Sequence, residues 1–366
     1  MRQVPYVNFP AQFAEEKTDL MAIVEQVMSK GMFIGGPETE ALESELAVIC
    51  GKQFAVALNS GTDALILGMK ALGIGPGDEV ITPPNSFVAS TAAIVATGAT
   101  PVYVDVCEDQ NIDPKAVEAT ITARTKAIMP VHLTGRVADM NPLMKIAHKH
   151  GLLMIEDAAQ SIGSKYDGKP SGSFGDIGCF SAHPLKNLNA AGDAGYVVTD
   201  NEGVADRLRL MRNHGLADRN TVVEWGTVSR IDVIQAAILR YRLSRLDQVI
   251  QARRANAELY RAGLKGLPIF ISPCRPEEFN TFHVFVIQVK QRDALAEHLK
   301  EKGIETGVHY PVPIHLQPAA SNLGYKLGSF PVCERQANRI LSLPINQYVS
   351  SDDIQWITDT IKDFYS

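Results

Sequence analysis

Short apolar runs alternate with segments of helical spacing through most of the first 200 residues. Residues 54–58 form an apolar run that predicts a buried strand, and after Ser60-Gly61-Thr62 the apolar residues of 63–72 recur at helical spacing. The same criteria predict a helix at 90–97 and strands at 79–82, 101–105, 127–131, 152–156 and 178–181. Because these strands are almost wholly apolar, they are expected to be covered on both faces, in a mainly parallel sheet between helical layers.

The pattern changes in the last third of the chain. A long helix is predicted over 230–260, a strand over 283–289, and a helix over 293–302 that ends with Gly303 as its cap. Short strands and helices follow to the end. The sequence therefore predicts an α/β fold with two parts, a large domain at 1–248 and a small α+β domain at 249–366.

Composition narrows the class of protein only coarsely. At 366 residues the chain has room for about two domains, and 45% hydrophobic with 21% charged residues is ordinary for globular proteins. The net charge of −6 argues against a nucleic-acid-binding surface, which is normally basic. No apolar run reaches the roughly 18 residues of a membrane span, and residues 1–6 lack the apolar core of a signal peptide. We expect a cytoplasmic protein without nucleic-acid or membrane partners.

The cysteines agree with that location. They are odd in number, widely spaced and without a CxxC pair: Cys50, Cys107, Cys179, Cys274 and Cys333. This usage is typical of reduced, mostly buried thiols in a reducing compartment.

Two loops that follow predicted strands carry polar groups where a parallel sheet binds its ligands. Ser60-Gly61-Thr62 opens a helix, so it could cradle a phosphate on free N–H groups, or Ser60 or Thr62 could simply cap the helix. Glu156 and Asp157 close an apolar strand, where an acid could ligate a metal, cap a helix or pair with a protonated nitrogen.

Two further loops complete the set. Lys186 follows a strand within a loop of small residues, and a lysine in an apolar or cationic setting has a lowered pKa and becomes an amine nucleophile. Phe87 stands among turn residues after another strand, where it could pack in the core or stack on a planar ligand. Together the four loops supply what pyridoxal phosphate requires: a lysine, a carboxylate for its ring nitrogen, a phosphate cup and a flat neighbour.

Motifs along nearly the whole chain resemble the DegT/DnrJ/EryC1/StrS sugar aminotransferases. The matching stretches lie, in the order of that family, at 35–38, 59–65, 75–80, 156–160, 181–186, 212–215, 229–232 and 309–311. The resemblance implies the fold type I architecture of aspartate aminotransferase, with pyridoxal phosphate as the cofactor and a homodimer with shared active sites.

The resemblance also implies roles for individual residues. Lys186 forms the Schiff base and moves the proton, Asp157 keeps the ring nitrogen protonated, Gln160 reaches the phenolic oxygen, and Phe87 stacks on the ring. The phosphate is held by Gly61, Thr62 and Ser181, and the substrate side is lined by Arg230 and His309. One departure is Val228, where the family often has an asparagine that touches the partner's cofactor phosphate; valine offers only its backbone.

The implied reaction moves an amino group from glutamate to a keto sugar, in amino-sugar biosynthesis for a surface polysaccharide or an antibiotic. Residues 309–313 with Gln317-Pro318 resemble enzymes of UDP- or dTDP-linked 3-keto sugars, the preferred substrate class. Residues 183–189 with Trp225-Gly226 also resemble relatives that act on octulosonate-type sugars without a nucleotide, which is the alternative. Family dehydratases carry histidine in place of the lysine, so Lys186 favours transamination.

Two readings from other classes stay open. A regulatory protein that binds the cofactor without turnover would be expected to carry a DNA-binding module, for which the fold leaves no room. A metal hydrolase could be built on Asp105, His132, Glu156 and Asp157, although that would leave Lys186 without a role. His148 and His150 diverge on a helix at their spacing, so we expect favourable charges near a helix end rather than metal ligands.

Overall fold

The computed structural model describes residues 2–366 and shows an α/β protein. The helices are α1 Phe9–Lys30, α2 Pro37–Cys50, α3 Gly61–Ala71, α4 Val88–Ala96, α5 Pro114–Val117, α6 Met140–His150, α7 Glu202–Met211, α8 Val233–Leu243, α9 Leu246–Gly263, α10 Arg292–Glu301, α11 Pro331–Ala337 and α12 Ser351–Tyr365. The strands are β1 Phe54–Leu58, β2 Glu79–Thr82, β3 Thr100–Tyr103, β4 Thr125–Ile128, β5 Leu153–Asp157, β6 Lys165–Tyr166, β7 Lys169–Pro170, β8 Ile177–Ser181, β9 Gly195–Thr199, β10 Glu278–Phe279, β11 Phe285–Gln288 and β12 Ile340–Leu343.

The central sheet has seven strands in the order β1-β9-β8-β5-β4-β2-β3. The strands from β8 to β3 pair in parallel, whereas β9 runs antiparallel to both β1 and β8. The prediction of a mainly parallel sheet is confirmed. Strand β9 was not predicted.

Helices cover both faces of the sheet, which explains why its strands are apolar throughout. Val56 and Leu58 of β1 join a cluster with α3 and α7, while the alternate Ala55 and Ala57 pack with α2 and α8. The sheet is therefore a buried middle layer, and its polar side chains are left at the strand ends.

The predicted long helix over 230–260 is wrong in one respect, because the chain forms α8 and α9 with a break between them. At the break the Ser244 hydroxyl donates to the carbonyl oxygen of Tyr241 at 2.7 Å, and the Arg245 N–H bonds only three residues back, to Arg242. A side chain that bonds to the backbone in this way competes with the helical pattern.

The C-terminal part has its own hydrophobic cluster, in which the antiparallel strand pair β11–β12 packs with α9, α10 and α12. Val4 is buried in this cluster, and its N–H donates to the carbonyl oxygen of Gly303 at 2.8 Å. The first residues of the chain therefore reach across to the small part. The domain boundary at 248/249 stays a prediction; α9 spans it.

Within residues 2–366, no helix is both long and apolar enough to cross a membrane. The five cysteines are all unpaired thiols; three are buried, Cys107 is half-buried and Cys274 is exposed.

Candidate active site

A cavity of about 460 Å³ opens where the ends of β5 and β8 meet the start of α3, with the C-terminal part as its other wall. It brings together most of the predicted site residues: Gly61, Thr62, Phe87, Asp157, Gln160, Ser181, Lys186 and His309. Arg230 does not line it within the one chain.

The start of α3 lines this cavity with Ser60, Gly61 and Thr62, a stretch that we call the cup. The Ser60 hydroxyl accepts from the N–H of Asp63 at 3.1 Å, so the capping interpretation holds for Ser60. The N–H groups of Gly61 and Thr62 have no partner within the helix, because the first turn never does. A Cβ on Gly61 would stand 2.6 Å from that of Ser181, so only glycine lets the two loops approach this closely.

Asp157 ends β5 and is 3% exposed. One carboxylate oxygen accepts from the hydroxyl of Ser90 at 2.6 Å and the other from the N–H of Ala159 at 3.2 Å. Burial raises the pKa of Asp157, against the opposing effect of these hydrogen bonds and of Lys186 and His132. A cationic partner in the cavity would favour its charged form.

Lys186 lies in the loop between β8 and β9. That loop is held by hydrogen bonds from the N–H of Ala182 to the carbonyl oxygen of Ala194 and from the N–H of Ala190 to that of Ala182, both 2.8 Å. Burial lowers the pKa of Lys186 to about 8, and the charge of Asp157 acts in the opposite direction. Near neutral pH, Lys186 is therefore a neutral amine in an appreciable fraction of the molecules, and this is the form that attacks a carbonyl carbon.

Phe87, Gln160 and Tyr310 line the side of the cavity near Asp157. Phe87 is 54% exposed and its ring centroid lies 5.7 Å from that of Tyr310. Gln160 accepts from the N–H of Thr134 at 2.7 Å and donates to the hydroxyl of Tyr310 at 3.3 Å. The open ring of Phe87 can receive a planar ligand, and Gln160 presents a donor beside it.

His309 belongs to the C-terminal wall. Its Nδ1 lies 2.9 Å from the hydroxyl of Ser342, and its ring stacks on Tyr6 with centroids 5.8 Å apart. Burial, with a contribution from Lys186, lowers the pKa of His309 to about 4, so the ring is neutral at physiological pH.

Arg230 and Val228 lie in the segment that precedes α8. Arg230 donates to the side-chain oxygen of Asn213 at 3.0 Å, and its Nε is buried without a hydrogen-bond partner within residues 2–366. Val228 is 49% exposed. The roles of Arg230 and Val228 in an active site shared between two protomers stay predictions.

The structure separates the residues of the metal-hydrolase alternative. Glu156 and His132 are sealed away from solvent and paired at 2.8 Å, whereas the carboxylate of Asp105 accepts from the N–H groups of Val332 and Cys333. No group of three His, Cys, Asp or Glu side chains in the described part of the chain could hold a metal ion. His148 and His150 lie in the last turn of α6, where His150 lies 2.9 Å from a carboxylate oxygen of Glu118.

The cavity lining includes residues to which the sequence assigned no role, among them Ser90, Arg253, His283 and Tyr310. The sequence pattern could have pointed to Arg253, because this residue lies on the buried stripe of α9 with Ile250, Ala257 and Tyr260. A charged residue on an apolar stripe is unusual and points to a partner or a ligand.

These groups fit pyridoxal phosphate. The glycine-lined cup suits its phosphate, the buried carboxylate of Asp157 its protonated ring nitrogen, the amine of Lys186 its aldehyde, and Phe87 its flat face. Fold and site together define a pyridoxal-phosphate-dependent transferase.

Comparison with known proteins agrees. Residues 14–362 match the model of the DegT/DnrJ/EryC1/StrS aminotransferase family, and the chain belongs to this family. It is 42% identical to a dTDP-3-amino-3,4,6-trideoxy-alpha-D-glucose transaminase of Streptomyces venezuelae, over 99% of this chain and 96% of that one. It is 41% identical to a UDP-N-acetyl-3-dehydro-alpha-D-glucosamine 3-aminotransferase of Acidithiobacillus ferrooxidans, over 98% and 97% of the two chains.

Solved structures show the same fold with the cofactor chemistry in place. The crystal structure of DesV from S. venezuelae with a ketimine intermediate superposes with a TM-score of 0.97 at 42% identity, covering 100% of this chain and 99% of that one. The PLP form of Spr1654 from Streptococcus pneumoniae superposes with a TM-score of 0.89 at 28% identity, covering 94% of this chain and 95% of that one. The chain is a sugar aminotransferase of fold type I, and its cofactor is pyridoxal phosphate.

Proposed function

We propose that the enzyme transfers an amino group from L-glutamate to carbon 3 of a keto sugar linked to dTDP or UDP. The observation that carries the proposal is that the S. venezuelae and A. ferrooxidans relatives, with different nucleotides, are both named for an amino group at position 3. Each matches this chain over nearly its whole length, so the residues that surround the sugar come from equivalent parts of the fold.

The chain's own residues divide the work of this reaction. Lys186, with its pKa near 8, can hold a proton and release it at the carbon that is being aminated or deaminated. Asp157 keeps the cofactor's ring nitrogen protonated, which makes the ring an electron sink. The cup at Gly61, Thr62 and Ser181 fixes the phosphate, so the reacting atoms are held in one orientation.

We propose that the enzyme is a homodimer in which each protomer completes its partner's site. The segment before Arg230 supports this, because it exposes a run of apolar side chains: Trp225 at 93%, Val223 at 55% and Val222 at 50%. An exposed apolar patch of this kind is typical of an interface. Light scattering on the purified protein should give twice the monomer mass.

We place the enzyme in the cytoplasm, since its five free thiols suit a reducing compartment.

The test begins with an absorbance spectrum of the purified enzyme, with and without L-glutamate. The visible band of the lysine-bound cofactor should bleach when glutamate is added. A dTDP- or UDP-linked 3-keto sugar should then return the aminated cofactor to its aldehyde form, a step that we call reoxidation. The panel of keto sugars also contains 8-oxo octulosonate. Reoxidation by the octulosonate alone would favour the sugar without a nucleotide. A bound cofactor that no donor or acceptor converts would favour a regulatory role.

A further inference from the structure

The inner end of the cavity holds a buried arginine whose charge is not balanced by an acid. Arg253 is 7% exposed, and its Nη1 donates to the carbonyl oxygens of Phe282 at 3.2 Å and His283 at 3.0 Å. Its Nε has no hydrogen-bond partner in the described part of the chain. Burial lowers the pKa of Arg253 to about 10, and the group that opposes this is the hydroxyl of Tyr6 rather than a carboxylate.

Arg136 shows how the same molecule normally treats a buried guanidinium. It is 6% exposed, yet it lies 3.7 Å from a carboxylate oxygen of Asp109 and 3.6 Å from one of Glu278. A buried charge is costly unless it is paired. Arg253 forms no ion pair within residues 2–366, but it lines a cavity, so its missing partner can be a ligand.

The surroundings of Arg253 also favour an anion. We call this part of the cavity the inner recess, formed by Tyr6, Asn187, Arg253, His283 and His309. Nδ1 of His283 is buried without a partner in residues 2–366, so this ring nitrogen is available to a ligand. The pKa of His283 is held well below its usual range by burial and by Lys186, Arg253, His309 and His183, so the ring is neutral and the recess keeps the charge of Arg253.

The carboxylates that line the whole cavity are Asp157 and Asp193. Asp157 acts on Lys186 and Tyr310 rather than on Arg253, and the cofactor's phosphate has its own cup at Gly61 and Thr62. The anion that Arg253 receives is therefore a third group, and it must be small because the guanidinium is almost fully buried.

We propose that Arg253 binds a carboxylate of the amino-acid donor, with His283 as a neutral hydrogen-bonding neighbour. The proposal rests on the proposed function, in which the donor is an amino acid. It gives the enzyme a way to accept two unlike substrates in turn: the donor is held through its charge in the inner recess, and the sugar, which carries no carboxylate there, is held by other groups. Arg253 is thus a determinant of donor specificity.

The test compares Arg253→Lys with Arg254→Lys in the holoenzyme. Arg254 is the next residue on the same helix, but it stacks on Phe279 at 4.0 Å and does not line the cavity, so it is the matched control. The lysine at 253 keeps the positive charge but loses the planar fork that matches a carboxylate. Glutarate, a dicarboxylate without an amine, is titrated against the cofactor's absorbance, and L-glutamate is used to bleach it in a separate series.

Losing a charged, forked hydrogen bond should weaken glutarate binding and the half-saturation by glutamate by about 10- to 100-fold in Arg253→Lys, with little change in Arg254→Lys. Reoxidation of the aminated cofactor by the keto sugar should change by less than about threefold, a split that mere loss of structure would not produce. Equal losses in both half-reactions, or unchanged glutarate binding, would overturn the inference and leave the proposed function standing. Glutarate binding that depends on Arg253 in an enzyme that aminates no sugar would support the inference and overturn the function.

Discussion

Glu156 and Asp157, the last two residues of β5, lie in two polar regions that differ in how completely their hydrogen bonds are satisfied. Glu156 lies in what we call the sealed cluster, where its oxygens accept from the N–H groups of Gly172, Phe174 and Gly175, each at 2.7 Å, and from Nε2 of His132 at 2.8 Å. The other ring nitrogen of His132 accepts from the N–H of Ala138 at 3.1 Å, so the ring is a neutral donor to Glu156.

The cavity around Asp157 is the opposite case. Asp157 accepts two hydrogen bonds, and Arg253, His283 and Asn187 each leave a buried polar atom unpartnered in residues 2–366. Buried polar groups are almost always satisfied, and because these three side chains line the cavity, a ligand can supply their partners. We therefore propose that these adjacent residues of one strand have different roles: Glu156 stabilises the fold, and Asp157 takes part in the chemistry.

Replacing Lys186 should give the largest effect in the cavity. Lys186→Arg keeps the charge but has no amine that can attack an aldehyde, so turnover and the visible absorbance of the lysine-bound cofactor should both vanish. The measurement is steady-state transamination together with the absorbance spectrum. Lys52→Arg is the matched control, because the Lys52 side chain is also poorly exposed but is paired with Asp200 at 2.9 Å and does not line the cavity. Retained turnover in Lys186→Arg would remove Lys186 from its role.

Asp157→Asn should give the next largest effect. The amide has nearly the same shape but cannot hold the ring nitrogen protonated, so kcat should fall by about 10²- to 10³-fold while the free energy of unfolding changes little. Ser90→Ala removes the 2.6 Å hydrogen bond to Asp157 without touching its charge and should cost less than about tenfold. A kcat within about threefold of the parent enzyme in Asp157→Asn would show that the two acids do not differ as proposed.

The reverse pattern is expected for Glu156→Gln. Three N–H donors and His132 lose their bonds to a charged acceptor in a site sealed from water, so the free energy of unfolding should fall by about 2–4 kcal/mol. The kcat of the folded fraction should stay within about threefold. Urea unfolding of the holoenzyme measures the first quantity and transamination the second. A large loss of kcat with unchanged stability would place Glu156 in the chemistry and end the contrast.

The sequence was most informative where local chemistry and topology coincide. Apolar strands covered on both faces, an acid at the end of β5 and a lysine after β8 can all be recognised locally, and the sheet then brings their loops together. Nothing local distinguishes Glu156 from Asp157, because their difference depends on the loop at 172–175 folding back over one of them. Arg253 is likewise distant in sequence from the loops it meets, and only the packing of α9 against residues 282–283 shows that it has no acid beside it.

The smallest effect, and the one that probes the cavity without a mutation, is the pH dependence of cofactor attachment. The pKa of Lys186 is lowered to about 8 because burial disfavours the ammonium form. The neutral amine is the reactive form, so the rate at which the apoenzyme binds pyridoxal phosphate should rise about tenfold per pH unit below 8 and level off above it. The same pKa shift makes the free energy of unfolding depend on pH. Between pH 8 and the ordinary lysine pKa of about 10.4 the unfolded chain binds more protons than the folded one, so the apoenzyme gains stability as the pH rises through that window. Stopped-flow absorbance over pH 6.5–10 measures the rate, with loss of the fold monitored by circular dichroism. A rate that still rises up to pH 10 would mean that Lys186 has the pKa of an exposed lysine, and that water reaches its amine in the cavity.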